Sequence, residues 1–229
     1  MQGGQRRACA RAHHLKSIGT CVGCGGHAIG RAFARPVGFA HPALYDAGMA
    51  IDVPVLSGAR LLLRRPRAED VEARFRLGRH REIIEAYGGT FDPAAVFTRG
   101  DAQSQISFIE QHEVAWIIDV NGFIGHVRFF ALDRHDRRAA LAIGIDDPAC
   151  LGKGYGSEAI RLALSYMFST GLHRISARVL ATNDRAIACY RKCGFQVEGR
   201  EREAAFVDGR WQDDIIMGVL EGEFVRAST

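Results

Sequence analysis

The chain has 229 residues, 47% of them apolar, and a formal net charge of +4. That length allows one domain or a domain with an appendage; no run approaches the ~18 consecutive apolar residues of a membrane span, and the charge is too small to argue for nucleic acid. Six cysteines without framework spacing, and no secretory signal with a long apolar core, make a reducing cytoplasm the expected compartment.

Residues 1–48 hold six basic side chains and one acid, which leaves the rest of the chain near neutrality. They are rich in Gly, Ala, Arg and His and show no sustained periodicity. Cys21-Val-Gly-Cys24-Gly-Gly-His27 invites a zinc reading, but no second Cys-x-x-Cys completes the usual pairing, so no metal is expected. The Arg-rich, acid-poor composition also resembles a transit peptide. The expectation adopted is a disordered extension over residues 1–48, with an overlong translation start as one origin for it, because the globular pattern begins just after Met49.

From there the elements follow in order. Arg60–Pro66 predicts a short strand closed by proline. Ala68–Leu77 predicts a helix, and His80–Ala86 a second one ending at Gly88-Gly89. Asp101 is the expected cap of a third helix running to about Gln111. Val114–Asp119 and Gly122–Leu132 predict strands joined at Val120-Asn121-Gly122, a strong hairpin signal. Arg138–Asp146 predicts a strand with Leu141, Ile143 and Ile145 on its apolar side. A glycine-rich turn follows, then a helix with an apolar stripe at Ile160, Ala163, Leu164 and Met167. Arg174–Leu180 predicts a strand, Asn183–Gly194 a helix, and Phe195–Phe206 with Trp211–Leu220 a closing hairpin around Asp208-Gly209. This order predicts an α/β chain with a mixed, twisted sheet and helices on both faces.

The turn Gly152-Lys-Gly154-Tyr-Gly156 sits between strand and helix, where backbone N–H groups converge on an anion, usually phosphate. A Walker A loop fails because Gly154, not Ser or Thr, follows Gly152-Lys153. A dinucleotide fingerprint fails on its G-x-G-x-G spacing and on its position two-thirds along the chain.

Residues 145–195 resemble motifs A and B of the GCN5-related N-acetyltransferases (GNAT). The glycine turn, Asn183, Tyr190 and the Lys192-Cys-Gly-Phe195 ending carry the resemblance. Val207-Asp-Gly-Arg-Trp-Gln-Asp-Asp-Ile-Ile-Met217 resembles the branch that holds ribosomal-protein and spermidine acetyltransferases. The resemblance spans residues 58–224 and implies a GNAT domain over 55–224, with a six- to seven-stranded sheet, splayed central strands and acetyl-CoA as cosubstrate.

The resemblance also implies a site. Gly152, Lys153, Gly154, Tyr155 and Gly156, with Ser157 opening the helix, would hold the CoA pyrophosphate; the alternative for Lys153 is a solvated loop cation. Ile145 and Asp146 would meet the pantetheine arm through their backbone, with an N–H polarising the thioester carbonyl. Asn183 matches the cofactor-contacting asparagine, with N-capping as the alternative. Tyr190 matches the tyrosine that protonates the departing thiolate, with a core aromatic as the alternative. Glu85, Tyr87 and His126 are expected substrate contacts; a helix end and a buried structural histidine are the competing readings. Arg138–Ile145 carries no acid, so no base for the amine is assigned. Leu151 stands where many relatives carry Gln or Arg. Cys189 and Cys193 share a helix face, which suggests packing rather than a metal site.

The expected function is acetyl transfer from acetyl-CoA directly to a primary amine: a protein N-terminus, a polyamine or another small amine. Alternatives are transfer of a longer acyl group and a non-catalytic acyl-CoA sensor. No nucleic-acid or membrane partner is expected, and a homodimer is compatible with the family.

Overall fold

The computed structural model describes residues 53–224, so the Cys21–His27 motif and the expected extension lie outside the described residues. The elements are β1 (Leu56–Ser57), β2 (Leu62–Arg64), α1 (Glu69–Leu77), α2 (Arg81–Ala86), α3 (Arg99–Glu110), β3 (Val114–Asp119), β4 (Phe123–Asp133), β5 (Arg138–Ile145), α4 (Tyr155–Ser169), β6 (Arg174–Leu180), α5 (Asp184–Lys192), β7 (Gln196–Val207) and β8 (Arg210–Leu220). The strands form one eight-stranded sheet in the order β1-β2-β3-β4-β5-β6-β8-β7. Only β5 and β6 run parallel, and α4 supplies the crossover that such a pair requires. The expectation of six to seven strands missed β1, whose two residues are too few to show a period-2 pattern. Among the described residues no helix is long and apolar enough to cross a membrane.

Local chemistry explains the joints. Asn121 (φ 57°) and Gly122 (φ 133°) turn β3 into β4, and the Asp119 carboxylate accepts from the Gly122 N–H at 2.7 Å. The cap of α3 is Thr98, not Asp101. Thr98 Oγ1 accepts from Asp101 N–H while the Asp101 carboxylate accepts from Thr98 N–H, a reciprocal box that sequence spacing alone assigned to the wrong partner.

The two faces of the sheet bury different sets. Ile160, Ala163, Leu164 and Met167 of α4 are fully buried against one face, where they meet Trp116, Val127, Leu141 and Ile175. Ile106 and Ile109 of α3 pack on the other face with Ala115, Ile117 and Phe123. A β-bulge places Ile124 between the pairs Ile118–Gly125 and Asp119–Phe123. Ile124 therefore joins the α4-side core, while His126 and Arg128 point to the α1/α3 side. On β5, Leu141 is buried but Ile143 and Ile145 are only half-buried, because the neighbouring strand has left them.

The edge of the sheet is pinned by a charge network. Arg64, 4% exposed, donates to both Asp70 carboxylate oxygens at 2.8 and 2.7 Å and to Asp119 at 2.5 Å. Asp70 also accepts from the Arg67 N–H at 2.7 Å, which fixes the entry into α1. A bidentate pair of this kind is secure only while both partners remain, since one charge left alone in the interior is heavily penalised. Asp70→Ala should therefore destabilise the fold by about 3–5 kcal/mol in urea unfolding; a loss under about 1 kcal/mol, the range of exposed pairs, would show that the network is not structural.

Candidate functional site

The central feature is the point where β5 and β6 part. They pair only from Arg138–Arg174 to Ala140–Ser176, whereas β6 stays paired with β8 from Arg174 to Leu180. Beyond Ala140, β5 therefore offers one row of backbone groups to a gap. The Asp146 N–H is turned to β4, where it donates to the Ile124 carbonyl at 2.8 Å. Backbone direction alternates along a strand, so Ile143 and Ile145 face the gap and Asp146 does not. Of the expected pair, Ile145 presents its amide there; Asp146 enters the site through its side chain instead. The Ile143 carbonyl accepts the Tyr87 hydroxyl at 3.0 Å.

At one end of the gap lies the glycine turn. Gly152 (φ 72°) and Gly154 (φ 86°) hold the left-handed conformation that a side chain disfavours. Gly154 is the N-cap of α4, and Glu158 is bonded back to its carbonyl at 3.1 Å. The amides of Tyr155, Gly156 and Ser157 thus open the helix without intrahelical acceptors. Lys153 is exposed, and the Ser157 hydroxyl is spent inward, 3.2 Å from Cys189 Sγ. Sequence reasoning missed Arg60. It bonds Glu158 at 2.8 Å and the Lys153 carbonyl at 3.0 Å, and lies 5.0 Å from the Tyr155 ring centre. It holds the turn from 93 positions away in the chain, and it offsets the Glu158 charge that would otherwise repel an anion.

The helix α5 forms the far wall. Asn183 caps it: Oδ1 accepts from Ala186 N–H at 3.0 Å, and Nδ2 donates to the Ala86 carbonyl at 3.0 Å. Both ends of its amide are engaged by protein, and an Arg185–Glu82 ion pair adds a second tie from α5 to α2. Tyr190 is 5% exposed, lines the cleft and packs edge-on against Phe195 with ring centres 5.0 Å apart. Burial pushes its phenol well above the usual range. Beside it, Cys193 and Ser157 lower the Cys189 thiol despite burial. Cys150, next to the turn, is raised by burial and by Asp147.

The opposite wall holds the expected substrate contacts. Tyr87 lies across β5: a Cβ at Gly144 would fall 1.5 Å from its hydroxyl. His126 Nε2 accepts from Arg128 Nη1 at 3.1 Å, which leaves the ring proton on Nδ1, 3.6 Å from the Asp146 carboxylate. That separation is long for a hydrogen bond, yet the pair is electrostatically coupled: burial would raise Asp146, but His126 and Arg74 hold it below the usual carboxylate range. Glu85 is drawn to Arg81 at 2.8 Å on the surface of α2 and does not line the cleft, so the helix-end reading describes it. Arg74 and Arg128 were not singled out in the sequence; a lone arginine in a helix or strand carries no local signal of burial. The whole cleft has a volume of about 2210 Å3, well above the ~300–1,000 Å3 of an ordinary small-molecule pocket.

Residues 60–196 match the family model described as an acetyltransferase (GNAT) domain. The chain belongs to the GNAT family of acetyl-CoA-dependent N-acetyltransferases. Among curated GNAT relatives, it is 35% identical to the spermidine N(1)-acetyltransferase of Vibrio cholerae over 46% of this chain and 61% of that one. It is 30% identical to the uncharacterized N-acetyltransferase YoaA of Bacillus subtilis over 73% of this chain and 97% of that one. Among solved GNAT structures, the Vibrio cholerae spermidine N-acetyltransferase in complex with CoA and spermine superposes with a TM-score of 0.60 at 26% identity, covering 72% of this chain and 98% of that one.

The turn geometry of this GNAT domain yields a direct check. Gly154→Ala places a Cβ 3.3 Å from Arg60 Nη2 at a φ of 86°. It should lower stability by about 1–2 kcal/mol and shrink the rise in melting temperature caused by CoA; an unchanged CoA shift would dissociate the turn from cofactor binding.

Proposed function

We propose that the chain transfers the acetyl group of acetyl-CoA directly to a primary amine. The observation that supports this most is the continuous path from the Gly152–Gly156 turn, along the unpaired row of β5, to the Tyr190 side chain. Acetyl-CoA supplies an activated acyl group as a thioester; the chain's part is to hold it and to manage charge and protons. The turn and the first amides of α4 receive the pyrophosphate. The Ile145 N–H donates into the gap, where negative charge builds on the thioester oxygen during attack.

Tyr190 is the proton donor to the departing sulfur. The apolar setting that raises its phenol also raises a thiol, so the pair remains matched. The strand stretch Arg138–Ile145 carries no acid, but Asp146 just beyond it is brought to the site with His126. Asp146 stays ionised at neutral pH and receives the acceptor as an ammonium. Its low pKa makes it a weak base, and the His126 lone pair is taken by Arg128, so the amine's own pKa governs its loss of a proton. The described cysteines are free thiols, which supports a reducing cytoplasm as the setting.

The spermidine and ribosomal-protein acetyltransferases among the relatives support an amine acceptor; the identity over the uS5-alanine enzyme of Escherichia coli is 35% across 28% of this chain. Thiol release from acetyl-CoA against an amine panel tests the reading. Tyr190→Phe should lower kcat by ~100-fold or more, as expected for loss of a general acid, with little change in the KM for acetyl-CoA. Tight CoA binding with no turnover on any amine would favour a sensor, and unchanged turnover in Tyr190→Phe would remove the acid assignment. The pH profile has a defined sign. The acid form of Tyr190 is the active one and its pKa is raised, so its loss moves to higher pH. Wild-type kcat/KM should rise with unit slope up to the acceptor's pKa and show no fall below about pH 10, the usual phenol value; a descending limb near pH 8–9 would contradict the assignment.

A further inference from the structure

The wall facing Asp146 carries an excess of buried positive charge. Arg74 on α1 is 7% exposed and Arg128 on β4 is 8% exposed, and both line the cleft. Each has an Nε atom that is buried without a hydrogen-bond partner. Arg74 donates to the Gly78 carbonyl at 2.7 Å and lies over the Phe97 ring; Arg128 donates to His126 and lies over Phe108 and Phe130. These contacts place the guanidiniums but do not neutralise them. The titratable groups coupled to them are Asp146 and Tyr87 for Arg74, and Tyr87, Tyr190 and His112 for Arg128, with the His126 ring lying between Arg128 and Asp146. Both phenols are raised by burial and stay neutral. Two cations therefore share one carboxylate.

The cleft's other carboxylates do not redress this. Glu113 is held by Arg134 at 2.6 Å, Glu198 by Arg174, Asp214 and Glu201 together by Arg178, Asp133 and Asp136 together by Arg138, and Asp101 sits in the Thr98 capping box. A polycation would find its counter-charges already engaged. The face also differs from the one that serves the glycine turn. A Cβ at Gly144 would point at Tyr87 and His126, so the wall of Arg74 and Arg128 lies on the α1/α2 side of β5, while Ile143 and Ile145 pack toward the α4-side core.

Resting on the transferase reading above, we infer that the acceptor amine carries an anionic group, a carboxylate or a phosphate, that docks against Arg74 and Arg128 while the amine faces Asp146. Guanidinium forks suit either anion. Between the Arg128 guanidinium and the Asp146 carboxylate stand one imidazole ring and its two contacts, 3.1 Å to Arg128 and 3.6 Å to Asp146. Amine and anion are accordingly joined by a short chain within one small molecule, as in an amino acid or an aminoalkyl phosphate. A buried charge left unmatched is strongly unfavourable, so the bound anion completes the site electrostatically.

The test uses matched acceptors in the thiol-release assay: amino acids against their amides, phosphoethanolamine against ethanolamine, and spermidine. The anionic member of at least one series should exceed its uncharged twin by 10-fold or more in kcat/KM, with spermidine below it; which series responds distinguishes carboxylate from phosphate. Arg74→Gln and Arg128→Gln should each cut that ratio at least 10-fold while the CoA-induced melting shift persists. If a glutamine variant fails to fold, Arg74→Lys and Arg128→Lys should retain part of the preference. Equal or better turnover of the uncharged twin in both series, or of spermidine, overturns the inference and leaves the transferase reading standing, as does a ratio that none of the variants changes. No thiol release with any amine, despite a CoA melting shift, overturns the transferase reading and the inference with it.

Discussion

The parting of β5 from β6 is the constraint on which the rest depends. A paired strand would have consumed the backbone groups of Ile143 and Ile145 in ladder bonds, and the cleft would be closed. Splaying exposes them, and exposed backbone groups in a half-buried place require partners. Among the described residues that demand is met at one point: Tyr87 donates to the Ile143 carbonyl. The Ile145 amide is left facing the gap, which makes it available to a ligand. The gap survives because β6 is held on its other side by β8 along its whole length, and β5 by β4. Neither strand can relax toward the other without breaking a long antiparallel ladder.

The helix α2 is recruited into the same arrangement. Its end is tied to α5 by the Asn183 amide on the Ala86 carbonyl and by the Arg185–Glu82 pair, and to β5 by Tyr87. Gly144 is what lets Tyr87 reach β5, since any Cβ there would collide with the hydroxyl. Asn183 thus acts first as a cap and a tie. One lone pair of Oδ1 and one N–H of Nδ2 are used in these bonds, and the second of each remains for another partner.

Much of this was legible in the chain. The β3–β4 and β7–β8 turns were marked by Asn121-Gly122 and Asp208-Gly209, and β6 by alternation over Arg174–Leu180. The stripe of α4 and the glycine turn before it were legible for the same reason: each is encoded within a few neighbouring residues. What was not legible is long-range. Arg60 reaches the turn from the segment between β1 and β2; Arg74 and Arg128 come from α1 and β4. None of these three lies in a local pattern, and only the closed sheet brings them to Asp146 and the turn, which the motif did mark. The bulge at Ile124 had the same effect on a smaller scale, because one extra residue changes which face a side chain occupies. Asp146 itself was marked for its backbone, and no local pattern signalled that its carboxylate turns toward His126.

The three buried arginines show why burial alone does not identify a function. Arg64 is as deeply placed as Arg74 and Arg128, but two aspartates surround it, and Asp70 meets it in the bidentate geometry that suits a guanidinium. Its charge is balanced within the protein, and its role ends with the fold. Arg74 and Arg128 share a single carboxylate and rest on aromatic rings, which attract a cation without cancelling it. Natural selection for stability alone would favour an apolar residue at such a position, since well-packed hydrophobic side chains replace buried ions at little loss. Keeping two guanidiniums there, against a wall that also holds Asp146 and opens on the Ile145 amide, makes sense when a ligand supplies the missing negative charge.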